Sequence, residues 1–254
     1  MAQEKRSALV TGAARGIGLA TARLLSARGW NVAMLDRDSD ALAGAVASVP
    51  GALELVYDVS DPQASGRMID AVTSAFGGLH GLVNNAGVAD FGPIEDTSFE
   101  RWRTVMATNL DGVFLVSQAA IGALRASGSG AIVNIASISG LRASTLRVAY
   151  GTSKAGVIQL TQQQAVELGE YNIRANAICP GPVRTKLAMA VHTQDIIDAY
   201  HDAIPLNRYG SEQEIAQAIC FLLSPEASYI TGQVLSADGG FEATGVGLPA
   251  LRSP

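Results

Sequence analysis

A tyrosine, a lysine and a serine in the second half of the chain have the types and spacing that acid–base chemistry at an alcohol or carbonyl oxygen needs. Tyr150 and Lys154 are four residues apart, so on a helix their side chains lie on one face, about one turn apart. A free tyrosine titrates near pH ~10, and a nearby ammonium favours its ionised form. Ser137, a short loop upstream, can hydrogen-bond the same reacting oxygen. The Tyr–Lys pair alone is a weak signal, because such pairs often form a solvated helix face.

A glycine-rich turn near the N-terminus predicts a phosphate-binding loop. The apolar run Ser7–Thr11 is typical of a strand, and it is followed by Gly12, Gly16 and Gly18 and then by a helical pattern. Glycines in this context let the backbone approach a pyrophosphate, whose charge then lies at the helix N-terminus. The spacing is G-x-x-x-G-x-G rather than the common G-x-G-x-x-G. A tight turn would explain one of these glycines but not all three.

An acidic residue after the second predicted strand bears on the choice of cofactor. Asp36 follows the strand 31–35 and lies eighteen residues after Gly18. An acidic side chain there binds the adenosine ribose hydroxyls of NAD and repels the extra phosphate of NADP. Arg15 and Arg37 favour NADP, since either can pair with that phosphate. Because Asp36 would act directly at the ribose and the arginines are flexible, the sequence favours NAD over NADP.

Strands and helices alternate along the whole chain. After the first two strands, further strands are predicted at 53–57, 81–83, 130–136, 174–179 and 233–237. Helices are predicted from a cap at Ser60 or Asp61 to about residue 76, and at 99–126, 147–169 and 211–223, while 186–207 is less regular. This alternation predicts an α/β fold, a Rossmann-like doubly wound parallel sheet of about seven strands with helices on both faces. One domain spanning 1–254 accounts for the chain.

Most of the candidate residues share one position relative to the predicted strands. Six come just past a strand's C-terminal end, namely Gly12, Asp36, Asp58, Asn85, Ser137 and Pro180. Ligands of open α/β sheets bind along this edge. Asn109 differs, because it lies inside a predicted helix, where asparagine is disfavoured and costly to bury unpaired. It either bonds locally or holds a functional distortion of the backbone and a water.

The composition argues against several other functions. The 254 residues are 48% hydrophobic and 16% charged, enough for one large core. A net charge of −5 and a pI of about 5.2 argue against nucleic-acid and anionic-membrane partners. Neither the two cysteines, Cys179 and Cys220, nor the three histidines form a metal-site pattern, so no metal is expected. No apolar stretch approaches a membrane span and no signal peptide is recognised, so a cytoplasmic location is expected.

With these residues in place, the chain resembles the short-chain dehydrogenase/reductase family over essentially its full length. The similarity is to the common single-domain subgroup of about this size. The matching segments are Thr11-Gly12-x-x-x-Gly16-Ile17-Gly18, Asp58-Val59, Asn84-Asn85-Ala86-Gly87, Asn109, Ser137, Tyr150-x-x-x-Lys154 and Pro180-Gly181. The resemblance implies an NAD(P)-dependent oxidoreductase that moves a hydride between the carbon of a secondary alcohol and nicotinamide C4.

The resemblance also implies a role for each matching residue. Tyr150 would be the catalytic acid/base, and Ser137 would orient the substrate oxygen. Lys154 would lower the pKa of Tyr150 and bind the nicotinamide ribose, and Asn109 would hold a water in the proton relay. The cofactor would also contact Gly12, Arg15, Gly16, Ile17, Gly18, Asp36, Arg37, Asp58, Val59, Asn85, Ala86, Gly87, Pro180, Gly181, Val183 and Thr185. Among these, Asp58 and Val59 would bind the adenine, and Val183 and Thr185 the nicotinamide carboxamide.

Substrate selection is expected in residues 139–148 and in 186–207, a segment that resembles the substrate lid of the family. The polar candidates, beside Ser137 and Tyr150, are Ser139, Arg142, Arg147 and His192. If two of the last three face the pocket, the substrate is hydrophilic, such as a sugar, a polyol or a hydroxy acid. The other possibility is that all three are solvated on a mobile loop. Because cells keep NAD mostly oxidised, NAD preference favours oxidation of a sugar or polyol.

Two alternative functions stay open. One is an NADPH-dependent carbonyl or 3-oxoacyl-thioester reductase, with Arg15 and Arg37 on the phosphate. The other is a non-catalytic NAD-binding scaffold or sensor, against which the intact catalytic residues argue. In either enzyme the resemblance implies a homotetramer built across helices 99–126 and 147–169. The apolar tail 241–254 is predicted to pack across a subunit contact.

Overall fold

Seven parallel strands form one sheet in the order β3-β2-β1-β4-β5-β6-β7 in the computed structural model, which describes residues 5–186, 189 and 192–245. The strands are β1 (Ser7–Thr11), β2 (Asn31–Asp36), β3 (Leu53–Val56), β4 (Gly81–Asn84), β5 (Ala131–Ile135), β6 (Arg174–Pro180) and β7 (Val234–Ala237). The strand order reverses between β1 and β4, which creates the crevice where open α/β sheets bind ligands. The predicted doubly wound parallel sheet in a single domain is confirmed.

Helices cover both faces of this sheet. They are α1 (Gly16–Ala27), α2 (Ser39–Val46), α3 (Ser65–Phe76), α4 (Phe99–Met106), α5 (Gly112–Ala126), α6 (Ile138–Leu141), α7 (Val148–Leu168), α8 (Gln194–Ala203) and α9 (Glu212–Leu223). Successive strand residues point to opposite faces. In β1, Val10 therefore packs with Leu25 of α1 and Ile219 of α9, whereas Leu9 packs with Met68 of α3 and Leu124 of α5. The two resulting cores hold the strand ends in fixed positions.

The start of α3 differs from the predicted one. Neither Ser60 nor Asp61 caps the helix, which begins only at Ser65. Asp58 Oδ1 instead accepts hydrogen bonds from the backbone N and the Oγ of Ser60 at 2.9 and 2.7 Å, and Asp61 Oδ1 accepts one from Gln63 N at 2.9 Å. Aspartates that bond two residues ahead make turns, and these turns delay the helix.

The segment 186–207, expected to be less regular than its neighbours, contains a helix at Gln194–Ala203 that was not predicted. Helix α8 begins after Thr193, whose side chain accepts a hydrogen bond from Ile196 N at 3.4 Å, and Asp195 lies in its first turn. An N-cap and an acidic first turn both stabilise a helix start. This signal is present in the sequence, as is the apolar spacing from Ile196 to Tyr200.

The predicted helix 99–126 consists of α4 and α5 joined by a π-helical turn, Ala107–Asp111. By length and composition Phe99–Ala126 is able to span a membrane, so the expectation that no stretch approaches that length is wrong. In its most apolar window 44% of the residues are buried inside the protein. Val116 and Ala120 of α5 pack in the core on one face of the sheet, as expected for a core helix.

Candidate active site

A cleft with a cavity volume of about 260 Å³ lies beyond the C-terminal ends of β4, β5 and β6. Its walls contain these residues proposed from the sequence: Ile17, Asn85, Gly87, Ser137, Ser139, Arg147, Tyr150, Lys154, Pro180, Gly181, Val183, Thr185 and His192. It is completed by residues that the sequence did not single out: Val88, Ala89, Ile135, Ala136, Ile138, Pro182 and Tyr200. Tyr200 was missed because α8, which carries it, was not predicted.

Three elements place the Ser–Tyr–Lys group in the cleft. Ser137 follows β5 and is the N-cap of α6, where its side chain accepts a hydrogen bond from Ser139 N at 3.1 Å. Tyr150 lies in the first turn of α7, and Lys154 lies one turn later. Lys154 is 3% exposed, and its Nζ donates to the carbonyl oxygen of Ile135 at 2.7 Å. The ammonium lies 5.8 Å from the centroid of the Tyr150 ring.

Burial dominates the protonation of both groups. It lowers the pKa of Lys154 to about 8, because a charged ammonium is less favourable away from water. Part of the Tyr150 side chain faces the cleft, yet protein surrounds the hydroxyl, and this burial raises the pKa of Tyr150. The Ser137 hydrogen bond and the charge of Arg147 lower the Tyr150 pKa by less. Lowering of the Tyr150 pKa by Lys154, expected from the sequence, is therefore not what this structure shows.

Asn109 occupies the π-helical turn between α4 and α5 and is fully buried. Its Oδ1 accepts from Val88 N at 2.8 Å, and its Nδ2 donates to Val88 O at 2.9 Å and to Ser153 Oγ at 3.1 Å. A primary amide has two N–H donors, so both are used within the protein. The side chain thus ties the loop that lines the cleft to α7.

The glycine turn packs against the loop that follows β4. A Cβ on Gly18 would lie 2.2 Å from the carbonyl oxygen of Gly12, so only glycine fits there. Asn85 Nδ2 donates to the carbonyl oxygens of Thr11 and Gly12, both at 3.0 Å. Among the described side chains, none caps the N-terminus of α1 and none in its first turn is acidic. Its amides are thus open to an anion such as a pyrophosphate, and the residues present fit a dinucleotide.

The charged residues near the expected adenosine ribose already have partners within the protein. Asp36 Oδ2 accepts a hydrogen bond from Ala14 N at 3.2 Å, which holds it beside the glycine turn. Arg15 forms an ion pair with Asp38, and Arg37 Nη1 lies 3.4 Å from Asp58 Oδ2. Each arginine that could bind the phosphate of NADP thus already has a carboxylate partner.

Of the substrate candidates Arg142, Arg147 and His192, only some lie in the cleft. Arg142 pairs with the C-terminal segment: its Nε lies 2.8 Å from Glu242 Oε2, although the N–H is not aimed at that oxygen, and its Nη atoms donate to the carbonyls of Glu242 and Thr244. It is not among the residues that line the cleft in the described part of the chain, whereas Arg147 and His192 are. Two of the three candidates therefore face the pocket.

His192 belongs to an aromatic cluster that closes one side of the cleft. Its Nδ1 lies 3.0 Å from the hydroxyl of Tyr209, and its ring stacks on Tyr200 with the centroids 5.6 Å apart. Burial, assisted by the charge of Arg147, lowers the pKa of His192 below its ordinary value of 6.5. The imidazole is therefore mostly neutral at pH 7.

Comparison with known proteins assigns the chain to a family. A family model described as Enoyl-(Acyl carrier protein) reductase matches residues 12–242. Trans-4-hydroxycyclohexanecarboxylate dehydrogenase of Sinomonas cyclohexanicum is 39% identical, with 93% of this chain and 92% of that protein covered. Galactitol 2-dehydrogenase (L-tagatose-forming) of Cereibacter sphaeroides is 38% identical, with 92% and 94% covered. The crystal structure of levodione reductase superposes with a TM-score of 0.90 at 35% identity, covering 94% of this chain and 98% of that one.

The chain belongs to the short-chain dehydrogenase/reductase family. The matches extend over more than nine-tenths of its length, and its seven-stranded sheet has the architecture of the solved relatives. It is an oxidoreductase that acts on secondary alcohols, and the family uses NAD or NADP as its cofactor. The Ser–Tyr–Lys group in the cleft is its candidate catalytic centre.

Proposed function

We propose that this protein is an NAD-dependent dehydrogenase that oxidises the secondary alcohol of a small hydrophilic compound, such as a sugar, a polyol or a hydroxy acid. The observation that carries this proposal is the placement of Arg147 and His192 in the same cleft as Tyr150 and Ser137. A pocket with polar side chains around the reacting group selects a polar substrate. The two dehydrogenase relatives are named for polar secondary alcohols, which supports this choice.

We assign the steps to the chain as follows. Ser137 hydrogen-bonds the substrate oxygen, and Tyr150 removes the hydroxyl proton while the ketone forms. Lys154 would place a positive charge beside the phenolate form in which Tyr150 accepts this proton, and would contact the nicotinamide ribose. A bound NAD supplies the hydride chemistry. Both N–H donors of the Asn109 side chain are used within the protein, so a relay water would bind the backbone of Asn109. The Asn109 side chain itself positions the loop that contains Val88.

We further propose NAD rather than NADP. Asp36 is held beside the glycine turn by Ala14 N, where its charge would repel a ribose phosphate. Arg15 and Arg37 would have to leave Asp38 and Asp58 in order to bind that phosphate. The runner-up function, an NADPH-dependent carbonyl or 3-oxoacyl-thioester reductase, is favoured by the reductase description of the family model and by the proximity of these two arginines.

Cofactor preference tests this proposal. With a panel of sugars, polyols, hydroxy acids and simple secondary alcohols, reduced-nicotinamide absorbance should rise with NAD, at a kcat/KM at least about tenfold above that with NADP, a difference of ~1.4 kcal/mol. Asp36→Ala should lower kcat/KM for NAD and raise it for NADP, because it removes both the ribose contact and the repulsion. Asp70→Ala, a change at an exposed aspartate of α3, should alter neither. A wild-type preference for NADPH would overturn the role of Asp36 and favour the reductase.

We also propose a cytoplasmic homotetramer assembled across the long helices. Large apolar side chains are exposed on these helices: Phe99 of α4 is 76%, Phe114 of α5 is 46% and Val166 of α7 is 80% exposed. Burying them against other subunits would remove apolar surface from water. Sedimentation velocity should give four chain masses, and a monomer would contradict the proposal. Most of the tail 241–254 lies outside the described residues, so its packing across a subunit contact stays a prediction.

A further inference from the structure

Arg147 is held over the catalytic tyrosine by two aromatic rings. Its guanidinium carbon lies 4.3 Å from the centroid of the Phe91 ring and 5.4 Å from that of Tyr150. The backbone supports this position, because Gly92 and Arg147 form a parallel bridge and Gly92 N donates to Leu146 O at 3.0 Å. A guanidinium over an aromatic face keeps the edges of its plane available for hydrogen bonds. The arginine is therefore oriented before any ligand binds.

In the part of the chain that the structure describes, no carboxylate pairs with this guanidinium. In residues 5–186, 189 and 192–245, seven arginines form ion pairs, but Arg147 forms none and its guanidinium makes no hydrogen bond. Asp90, the neighbour of Phe91 in sequence, is already paired with Arg101 at 2.6 Å. An arginine that is half-buried and unpaired leaves favourable interactions unmade.

The cleft as a whole is built for a negative group. Within the described chain, no acidic side chain lines it, and its cationic residues are Arg147 and Lys154. Lys154 is buried and bound to the Ile135 carbonyl, and His192 is mostly neutral. Arg147 is thus the cation available to a substrate, in the same cleft as the hydroxyl that does the chemistry.

We propose that Arg147 binds a carboxylate of the substrate, so that the enzyme acts on small hydroxy acids rather than on uncharged sugars or polyols. The planar guanidinium matches a carboxylate through two parallel N–H···O bonds, which fixes orientation as well as affinity. Holding the carboxylate beside the Phe91 and Tyr150 rings leaves the carbinol carbon within reach of Tyr150 and Ser137. This inference rests on the proposed dehydrogenase function and narrows its substrate class.

A binding experiment that needs no turnover tests the anion site. Cyclohexanecarboxylate and its carboxamide have the same shape and differ in charge, and neither has a hydroxyl to oxidise. With the protein saturated with NADH, calorimetry should show that Arg147→Met raises the Kd of the carboxylate at least about tenfold and leaves that of the carboxamide unchanged. Arg147→Lys should recover part of the loss. Arg125→Met removes another arginine that lies over an aromatic ring, that of Tyr171, outside the cleft, and should have no effect.

Turnover separates substrate binding from a second possible role of Arg147. For 4-hydroxycyclohexanecarboxylate, Arg147→Met should raise KM at least about tenfold with little change in kcat, whereas for the matching carboxamide neither constant should change. If Arg147 acted only on the Tyr150 proton, the variant would lower kcat for both compounds and shift the pH profile. That result would overturn the proposal.

The remaining outcomes also support or contradict the carboxylate site. A wild-type protein that binds the carboxamide as tightly as the carboxylate, or that binds none of 3-methylbutanoate, cyclohexanecarboxylate and benzoate, contradicts a carboxylate site. Arg147-dependent carboxylate binding without oxidation of any alcohol in the panel supports the site and contradicts the proposed dehydrogenase function. The two failures are therefore distinguishable.

Discussion

Replacing Tyr150 by phenylalanine is expected to lower kcat by roughly 10²- to 10⁴-fold and to leave NADH binding nearly unchanged. The change removes the hydroxyl that we propose as the acid/base, beside Ser137, and keeps the ring on which Arg147 lies. Steady-state rates with the best alcohol of the panel measure the first effect. Quenching of protein fluorescence on titration with NADH measures the second.

Tyr229→Phe is the matched control, because Tyr229 is fully exposed and the same oxygen is lost where no chemistry is expected. It should keep wild-type kcat. A Tyr150→Phe protein that keeps more than a tenth of the wild-type kcat would show that another group transfers the proton. A variant that loses turnover, binds NADH and still performs its biological role would instead favour the scaffold or sensor function.

Replacing Lys154 by methionine is expected to abolish most turnover and yet to stabilise the protein near neutral pH. Burial holds the pKa of Lys154 at about 8 in the folded protein, against 10.5 for a free lysine. The folded state thus carries the cost of a buried ammonium, about 3 kcal/mol for this difference in pKa. Loss of the hydrogen bond to Ile135 O offsets about 1 kcal/mol of the gain.

The pH dependence of this stabilisation gives the sharper measurement. Between pH 8 and 10.5 the unfolded chain still binds the Lys154 proton and the folded chain has released it, so wild-type stability gains from rising pH in this window. The variant lacks this contribution, and its advantage over wild type should shrink by about 3 kcal/mol from pH 8 to 10.5. Urea unfolding of both proteins at several pH values measures it, with Lys5→Met, at an exposed lysine, as control. Parallel stability curves would contradict the burial of a charged Lys154.

Local patterns were sufficient to predict the sheet and the edge where the site lies. Alternating strand and helix patterns determine a parallel sheet, because parallel strands need crossover connections. The positions of Gly12, Asp36 and Ser137 after strand ends then follow from topology alone, as does the one-turn spacing of Tyr150 and Lys154. Gly18 illustrates why the pattern is informative: its Cβ position is filled by the backbone of Gly12, which no other residue tolerates.

Contacts between distant segments were not predictable in this way. The Nδ2 of Asn84 donates to Asn134 Oδ1 at 2.8 Å and to Ser117 Oγ at 2.9 Å in a buried network between β4, β5 and α5. Asn134 continues this network to Gln164 Oε1 of α7 at 2.8 Å. Burying an amide is favourable only where distant partners satisfy it, and a residue's neighbours in sequence do not reveal those partners.

The sequence by itself determined the fold, the cleft edge and the set of residues able to do chemistry, since each follows from local periodicity and spacing. Only the tertiary structure decided how the charges are used. The sequence does not distinguish the four arginines proposed for ligand binding. In the folded chain Arg15, Arg37 and Arg142 have acidic partners. Arg147 instead lies against two aromatic rings. Electrostatic interactions depend on distance and burial, and both are properties of the folded chain.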